Sequence, residues 1–227
     1  MGRLGLMVGS NALGDSGEAL FGAVEGDGVV VLQRHRAEPN DGYTLPHRID
    51  HVANMRALAD AGCDRVLAIG SVGSLDPALA VGSFLCPDDF IALQLGLSAF
   101  DDARGHAVPG FDPAWRETVA SAWVAAGAPE LRGGVYWQTI GPRFETPAEI
   151  RMIAAHADVV GMTIASECIV AGELGLPYAA ICLVDNLANG VGEGLSLEEL
   201  ERDREGNRAR LHEALAAVLP ALVPGAG

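Results

Sequence analysis

The run from Tyr178 to Val184 is a continuous apolar strand that stops at two polar residues, Asp185 and Asn186. In an open α/β sheet, ligands collect where such strands end. The segments before it alternate between strand and helix in the same way. Thr146-Pro147 followed by Glu149 reads as a helix start, with Thr146 as N-cap and Pro147 at the first helical position. Ile150, Ile153 and Ala154 continue at helical spacing, Asp158 to Met162 turns into a short strand, and a second helix runs through Glu167 to Glu173. Phe144 and Glu145 therefore sit in the loop just before a helix, where a side chain faces a cleft instead of a core.

The rest of the chain carries the same alternation. Leu4 to Ser10 reads as a strand running into a Gly-Ser turn, and Gly28 to Gln33 as the next strand. A helix from about Asp50 to Ala61 closes at Gly62, and Arg65 to Gly70 is a strand followed by a turn through Leu75. Phe84 to Leu93 reads as one strand and Gln94 to Gly110 as a long irregular loop. Pro113 to Gly127 is a helix with Trp115, Val119 and Trp123 at four-residue spacing, a core or subunit-contact pattern. After the strand Gly134–Thr139, the last helix opens on a capping box at Ser196 and Glu199 and carries an apolar stripe at Leu211, Leu215 and Val218. This order indicates one α/β domain over residues 1–227, with a mixed sheet flanked by helices.

Charge and cysteine usage narrow the partners. Asp+Glu number 30 against 15 Lys+Arg, a formal net charge of -15, which repels nucleic acid and anionic membrane alike. The N-terminus reads as the first strand and not as a signal peptide, and acidic residues break every apolar stretch before it is long enough to span a bilayer. Cys63, Cys86, Cys168 and Cys182 lack metal-ligand or C-x-x-C spacing, so they read as buried reduced thiols of a cytoplasmic protein. The sequence holds no phosphate-binding G-x-x-x-x-G-K-[ST], no G-x-G-x-x-G, no G-x-S-x-G and no H-E-x-x-H. No metal or cofactor is expected.

Several positions invite chemistry, each beside a plainer reading. Ser10 follows a strand where backbone N–H groups and a hydroxyl can hold an oxyanion, or it is an ordinary turn. Arg34-His35 is either a phosphate-binding pair or a solvated cation beside a packed imidazole. Tyr43, His47 and His51 lie in or next to a polar loop, either lining a site or structural, and His106 sits on the long loop.

Taken together, Gly141-Pro142-Arg143-Phe144-Glu145-Thr146-Pro147-Ala148-Glu149, Gly161-Met162-Thr163 and Val184-Asp185-Asn186 resemble the trimeric purine nucleoside phosphorylase and methylthioadenosine phosphorylase family. The match runs from Gly9 to about Asn189. The pairing of Glu145 with Asn186 is similar to the branch that takes 6-oxopurines, methylthioinosine phosphorylases included. The resemblance implies a twisted, partly barrel-like sheet in a homotrimer or hexamer, and phosphate-dependent cleavage of a purine nucleoside, inorganic phosphate being a co-substrate and not a cofactor. It implies that Ser10, Arg34, His35, Ser71 and Thr163 hold phosphate, that Met162 packs on ribose and Phe144 on the purine, and that Tyr43 and a neighbouring subunit's His106 approach the 5′ end. Glu145 would accept from N1–H, and Asn186 would serve N7 and O6. Asp185 stands where relatives carry Thr, Val or Ala, and could take the N7 role with a 6-amino base instead.

The chain departs from the pattern elsewhere. Ser71 replaces an Ala, Arg36 replaces a Gly, Ala165-Ser166 replace Val-Pro, and the connector from Gly14 to Asp27 is shortened. These departures keep open a methylthioadenosine phosphorylase or a non-catalytic nucleoside-binding paralogue. A related hydrolase would need an acidic residue near Gly9-Ser10-Asn11 to activate water, and none is there.

Overall fold

The strand β9 (Tyr178–Leu187) is apolar from Tyr178 to Val184 because helices cover it on both faces. Its alternate residues divide between two cores. Ala180, Cys182 and Val184 point to one side with Ala68 and Val72, under α1 (His51–Asp60) and α4 (Ile164–Glu173). Ala179, Ile181 and Leu183 point to the other with Leu4, Leu6 and Val8, under α2 (Pro113–Ala125) and α5 (Leu197–Leu222). Each fully buried aliphatic or aromatic side chain contributes about 1.5–3 kcal/mol. These cores, not the polar groups at the strand ends, carry the stability on which the site rests.

The computed structural model describes residues 2–9, 28–35, 43–191 and 197–223, without the side chains of 197–204. Among these, nine strands form one mixed sheet: β1 (Arg3–Val8), β2 (Val29–Gln33), β3 (Cys63–Ser74), β4 (Phe84–Leu85), β5 (Asp89–Ile91), β6 (Leu131–Arg132), β7 (Val135–Gln138), β8 (Val159–Gly161) and β9. The order is β5-β7-β8-β3-β9-β4-β6, with β1 paired to β2 and β3. The pairs β3–β8 and β4–β9 are antiparallel and the others parallel. The remaining helix, α3 (Pro147–Ile153), has the expected capping box: Thr146 accepts from the Glu149 backbone and Glu149 from the Thr146 backbone.

Two strand boundaries differ from expectation. Arg65–Gly70 does not end in a turn: β3 continues to Ser74, pairing with β9 on one side and β8 on the other. Gly73 permits this crowding, since a Cβ there would stand 3.3 Å from the Asn186 Nδ2 and 3.4 Å from a Val160 methyl. Phe84–Leu93 divides into β4 and β5 around Cys86-Pro87-Asp88, because proline has no N–H for the ladder and the two halves join different neighbours. The helix over Trp115, Val119 and Trp123 forms as expected, all three buried in the core. The Ser196 cap and the Gly14–Asp27 connector lie outside the described residues. No helix among the described residues is long and apolar enough to cross a membrane.

Candidate active site

The ends of β1, β3, β8 and β9, the turn after β2 and the loop before α3 surround a cavity of about 590 Å³. One wall is cationic. Arg34 is buried, with Nε 2.6 Å from Glu167 Oε1, Nη2 3.1 Å from Oε2 and Nη1 2.7 Å from the Ile69 carbonyl. Tyr178 donates to the same carboxylate at 2.7 Å, and Asn54 donates to the Arg34 carbonyl at 3.2 Å. Burial works against the guanidinium charge, but Glu167 more than restores it and the Arg34 pKa is raised. Three of the five N–H donors of the guanidinium are engaged, and Arg34 lines the cavity.

His35 follows on the same turn. Its Nδ1 lies 2.8 Å from the Thr44 carbonyl, so Nδ1 carries the proton and Nε2 is left as the acceptor facing the Tyr43 hydroxyl at 3.4 Å. Tyr43 stacks on it with ring centroids 4.4 Å apart. Thr163 is the N-cap of α4 but spends no side-chain hydrogen bond on capping. The first turn of α4 is held instead from β7: the Tyr136 hydroxyl accepts from the Thr163 and Ile164 N–H groups at 3.3 and 3.4 Å. Gln138 accepts from the Ser166 N–H at 3.1 Å and donates to its hydroxyl at 2.6 Å. Ser166, in the place of a proline that has no N–H, thus gains a partner on the neighbouring strand.

The opposite wall presents acceptors. Glu145 is buried, its Oε1 accepting from Thr139 at 2.6 Å, and Asn189 fixes its backbone carbonyl at 3.0 Å. Glu145 lines the cavity with its carboxylate tied at one oxygen. Phe144, half exposed, and Met162 also line the cavity. Adjacent strand residues ordinarily face opposite ways, yet Asp185 and Asn186 both line it. The reason is a bulge: Val72 pairs with Val184 and Gly73 with Asn186, so Asp185 is the extra residue. The Asn186 Nδ2 donates to the Leu187 carbonyl at 2.8 Å, keeping one N–H and Oδ1 for a ligand. Asp185 accepts a hydrogen bond from Ser71. Two departures from the family pattern, at 71 and 185, therefore touch each other. Ser71, expected to hold phosphate, lines the cavity with its hydroxyl donating to Asp185.

The other candidate residues lie outside the described residues or do not line this cavity. Ser10 and Arg36 lie outside the described residues. His106 is exposed on a short 3-10 turn and does not line the cavity of its own chain. His47 is exposed, and His51 is buried on the first turn of α1 with its Nδ1 lacking a partner among the described residues. Thr139, Asn189 and Arg208 do not stand out in the sequence as site residues, and Leu211 does so only as part of an apolar stripe, although all but Thr139 line the cavity. The position of Thr139 at a strand end was a usable signal. Nothing in the α5 sequence directs Arg208 to a site.

The imidazoles of His35 and His51 are both held below their ordinary pKa, chiefly by burial, with Arg34 adding to the effect and Glu167 opposing it. The unfolded chain then binds more protons than the folded one as pH falls through the ordinary imidazole value of about 6.5. Stability is expected to be full above that value and to decline below it. Urea midpoints at pH 7.5 and 5.5 check this; equal midpoints, or a higher one at pH 5.5, would contradict the burial of neutral rings.

Comparison with known proteins follows the same lines. A probable 6-oxopurine nucleoside phosphorylase of Archaeoglobus fulgidus is 40% identical over 190 residues, 82% of this chain and 77% of the relative. A probable S-methyl-5′-thioinosine phosphorylase of Xanthomonas campestris is 36% identical over 195 residues, 82% of this chain and 76% of that one. The crystal structure of Schistosoma mansoni methylthioadenosine phosphorylase with adenine shares the fold, with TM-score 0.81 at 22% identity over 98% of this chain and 92% of that one. The family model described as the phosphorylase superfamily matches residues 8–220, and with these relatives it shows that the chain belongs to the phosphorylase superfamily.

Proposed function

We propose that the chain catalyses phosphorolysis of a 6-oxopurine nucleoside, releasing the free base and a pentose 1-phosphate. The observation that carries this reading is that Glu145, with one oxygen tied by Thr139, and Asn186, at the bulge, line the same cavity. The names of the relatives in Archaeoglobus fulgidus and Xanthomonas campestris support it. Inorganic phosphate, held by Arg34, His35 and Thr163, attacks C1′ while the C1′–N9 bond breaks and its electron pair passes to the purine. Positive charge on the sugar is stabilised by the anion beneath it, and charge on the base by the Asn186 N–H at N7. Glu145 accepts from N1–H, Phe144 covers the ring and Met162 packs on the sugar. A 6-aminopurine has no proton at N1 and leaves the carboxylate facing a lone pair.

Inosine, guanosine and methylthioinosine, each against its 6-amino counterpart and each with and without phosphate, test this. Cleavage of the oxo member only in the presence of phosphate is expected. Faster cleavage of adenosine assigns the base contacts to Asp185 instead, and cleavage without phosphate assigns a hydrolase.

The assembly is read as a homotrimer. Leu93, Ile140 and Met152 are 80%, 43% and 60% exposed around a second cavity of about 380 Å³ that shares Glu145 with the first. A neighbouring copy would cover these side chains and supply His106. Light scattering measures the mass, and a monomer would end this reading. Four free cysteines, all buried, support a cytoplasmic location.

A further inference from the structure

We propose that Gln138 is a positioning residue for the anion end of the cavity: it takes over the capping of α4 and so keeps the Thr163 hydroxyl for the ligand. The inference rests on the reading that Thr163 helps to hold phosphate. An N-cap threonine ordinarily accepts from the N–H two or three residues further on. Counting from Thr163, the third residue is Ser166. Its N–H is bound instead by the Gln138 Oε1 at 3.1 Å, while the Gln138 Nε2 donates to the Ser166 hydroxyl at 2.6 Å. Thr163 makes no capping bond with its side chain, and it lines the cavity. Gln138 and Ser166 are 3% and 2% exposed, so bulk water cannot stand in for either partner.

The strand β7 is placed to reach this turn. Tyr136 and Gln138 lie two apart on one face of it, and the Tyr136 hydroxyl accepts from the N–H groups of Thr163 and Ile164. Gln138 is also the register partner of Gly161 on β8, and the next residue, Thr139, donates its N–H to the Gly161 carbonyl at 2.9 Å. The arc from Gly161 to Ser166 is therefore fastened beside Gln138 at one end and to its side chain at the other, with Thr163 between. A proline at 166, as in the family pattern, has no N–H and asks for no acceptor. A serine there does, and the glutamine across from it supplies one. Without the glutamine, the buried Ser166 N–H turns to the acceptor that an N-cap threonine places for it, the Thr163 hydroxyl, and draws that hydroxyl away from the anion.

The variants Q138L, Q138L/S166P and S166A test this on the intact chain, each read by the phosphate KM during inosine cleavage and by the rise of melting temperature with inorganic phosphate. Q138L is expected to raise the phosphate KM about tenfold or more, with kcat at saturating phosphate within about threefold of wild type. The ratio of inosine to adenosine cleavage should stay the same, because Glu145 is held by Thr139 and not by Gln138. Adding S166P removes the N–H and should return the phosphate KM to within about threefold of wild type. S166A leaves the backbone N–H on the glutamine and should keep it within about twofold. A lower melting temperature in Q138L with an unchanged phosphate KM assigns the pair to stability alone and overturns the proposal. A raised KM that S166P does not lower, or that S166A matches, overturns it as well. If Q138L does not fold, the double variant and S166A still decide, since a tenfold rise in either contradicts the capping exchange. The result is separable from that of the proposed reaction. A chain that consumes no nucleoside, while Q138L weakens and S166P restores its stabilisation by phosphate, loses only the reaction. A chain that cleaves inosine with the same phosphate KM in Q138L loses only the positioning.

Discussion

The Glu167→Gln variant is expected to unfold about 3–5 kcal/mol more readily than wild type, the cost of removing one partner of a buried ion pair. Both side chains are almost fully buried, at 2% and 0% exposure, so solvent screening does little to soften the loss. Gln occupies the same space but carries no charge. Arg34 then keeps its charge in the interior with one oxygen where there were two, and Tyr178 competes for it. The guanidinium is also the expected phosphate ligand, so the surviving folded protein should bind phosphate poorly. Chemical denaturation followed by tryptophan fluorescence measures the first effect, and a change below about 1 kcal/mol would show that the pair is not what holds Arg34 in place.

A comparably large effect is expected on activity from Glu145→Gln. The kcat/KM for inosine should fall by about tenfold to a hundredfold or more, equivalent to about 1–3 kcal/mol. Thr139 donates to Oε1 and will select the amide oxygen of the new side chain, which turns the NH₂ into the cavity. That group meets the N1–H of a 6-oxopurine donor to donor, but it suits the N1 lone pair of a 6-aminopurine. Adenosine should therefore lose less than inosine, or gain. Assays of the two nucleosides at saturating phosphate measure the ratio; a ratio identical to that of wild type would remove Glu145 from recognition of the base.

Much of the scaffold was legible in local chemistry. The Thr146-Pro147-Ala148-Glu149 cap, the Gly62 terminus of α1 and the tryptophan stripe of α2 each follow from short-range rules, and each forms. The boundaries that went astray, β3 running through to Ser74 and the division at Pro87, depend on which neighbours a strand meets. Apolar pattern does not report those neighbours. The site divides in the same way. Arg34, His35, Glu145, Met162, Thr163 and Asn186 stand out from residue type and position beside strand ends, and they do share one cavity. Gln138 beneath Ser166 and Arg208 on α5 do not stand out, because their roles arise from chain segments far away in sequence, and Thr139, only six residues before Glu145, meets it because the loop between them folds back.

From the residues alone come the kind of fold, the helix starts and the apolar strand at Tyr178–Val184, since propensity, capping and apolar period act within a few residues, while the list of groups able to meet a nucleoside and an anion follows from the family resemblance. Tertiary structure alone decided which way those groups point. One additional residue in β9 turns Asp185 inward beside Asn186 and joins it to Ser71 on the neighbouring strand. A bulge is a mismatch between two strands, so neither strand announces it by itself.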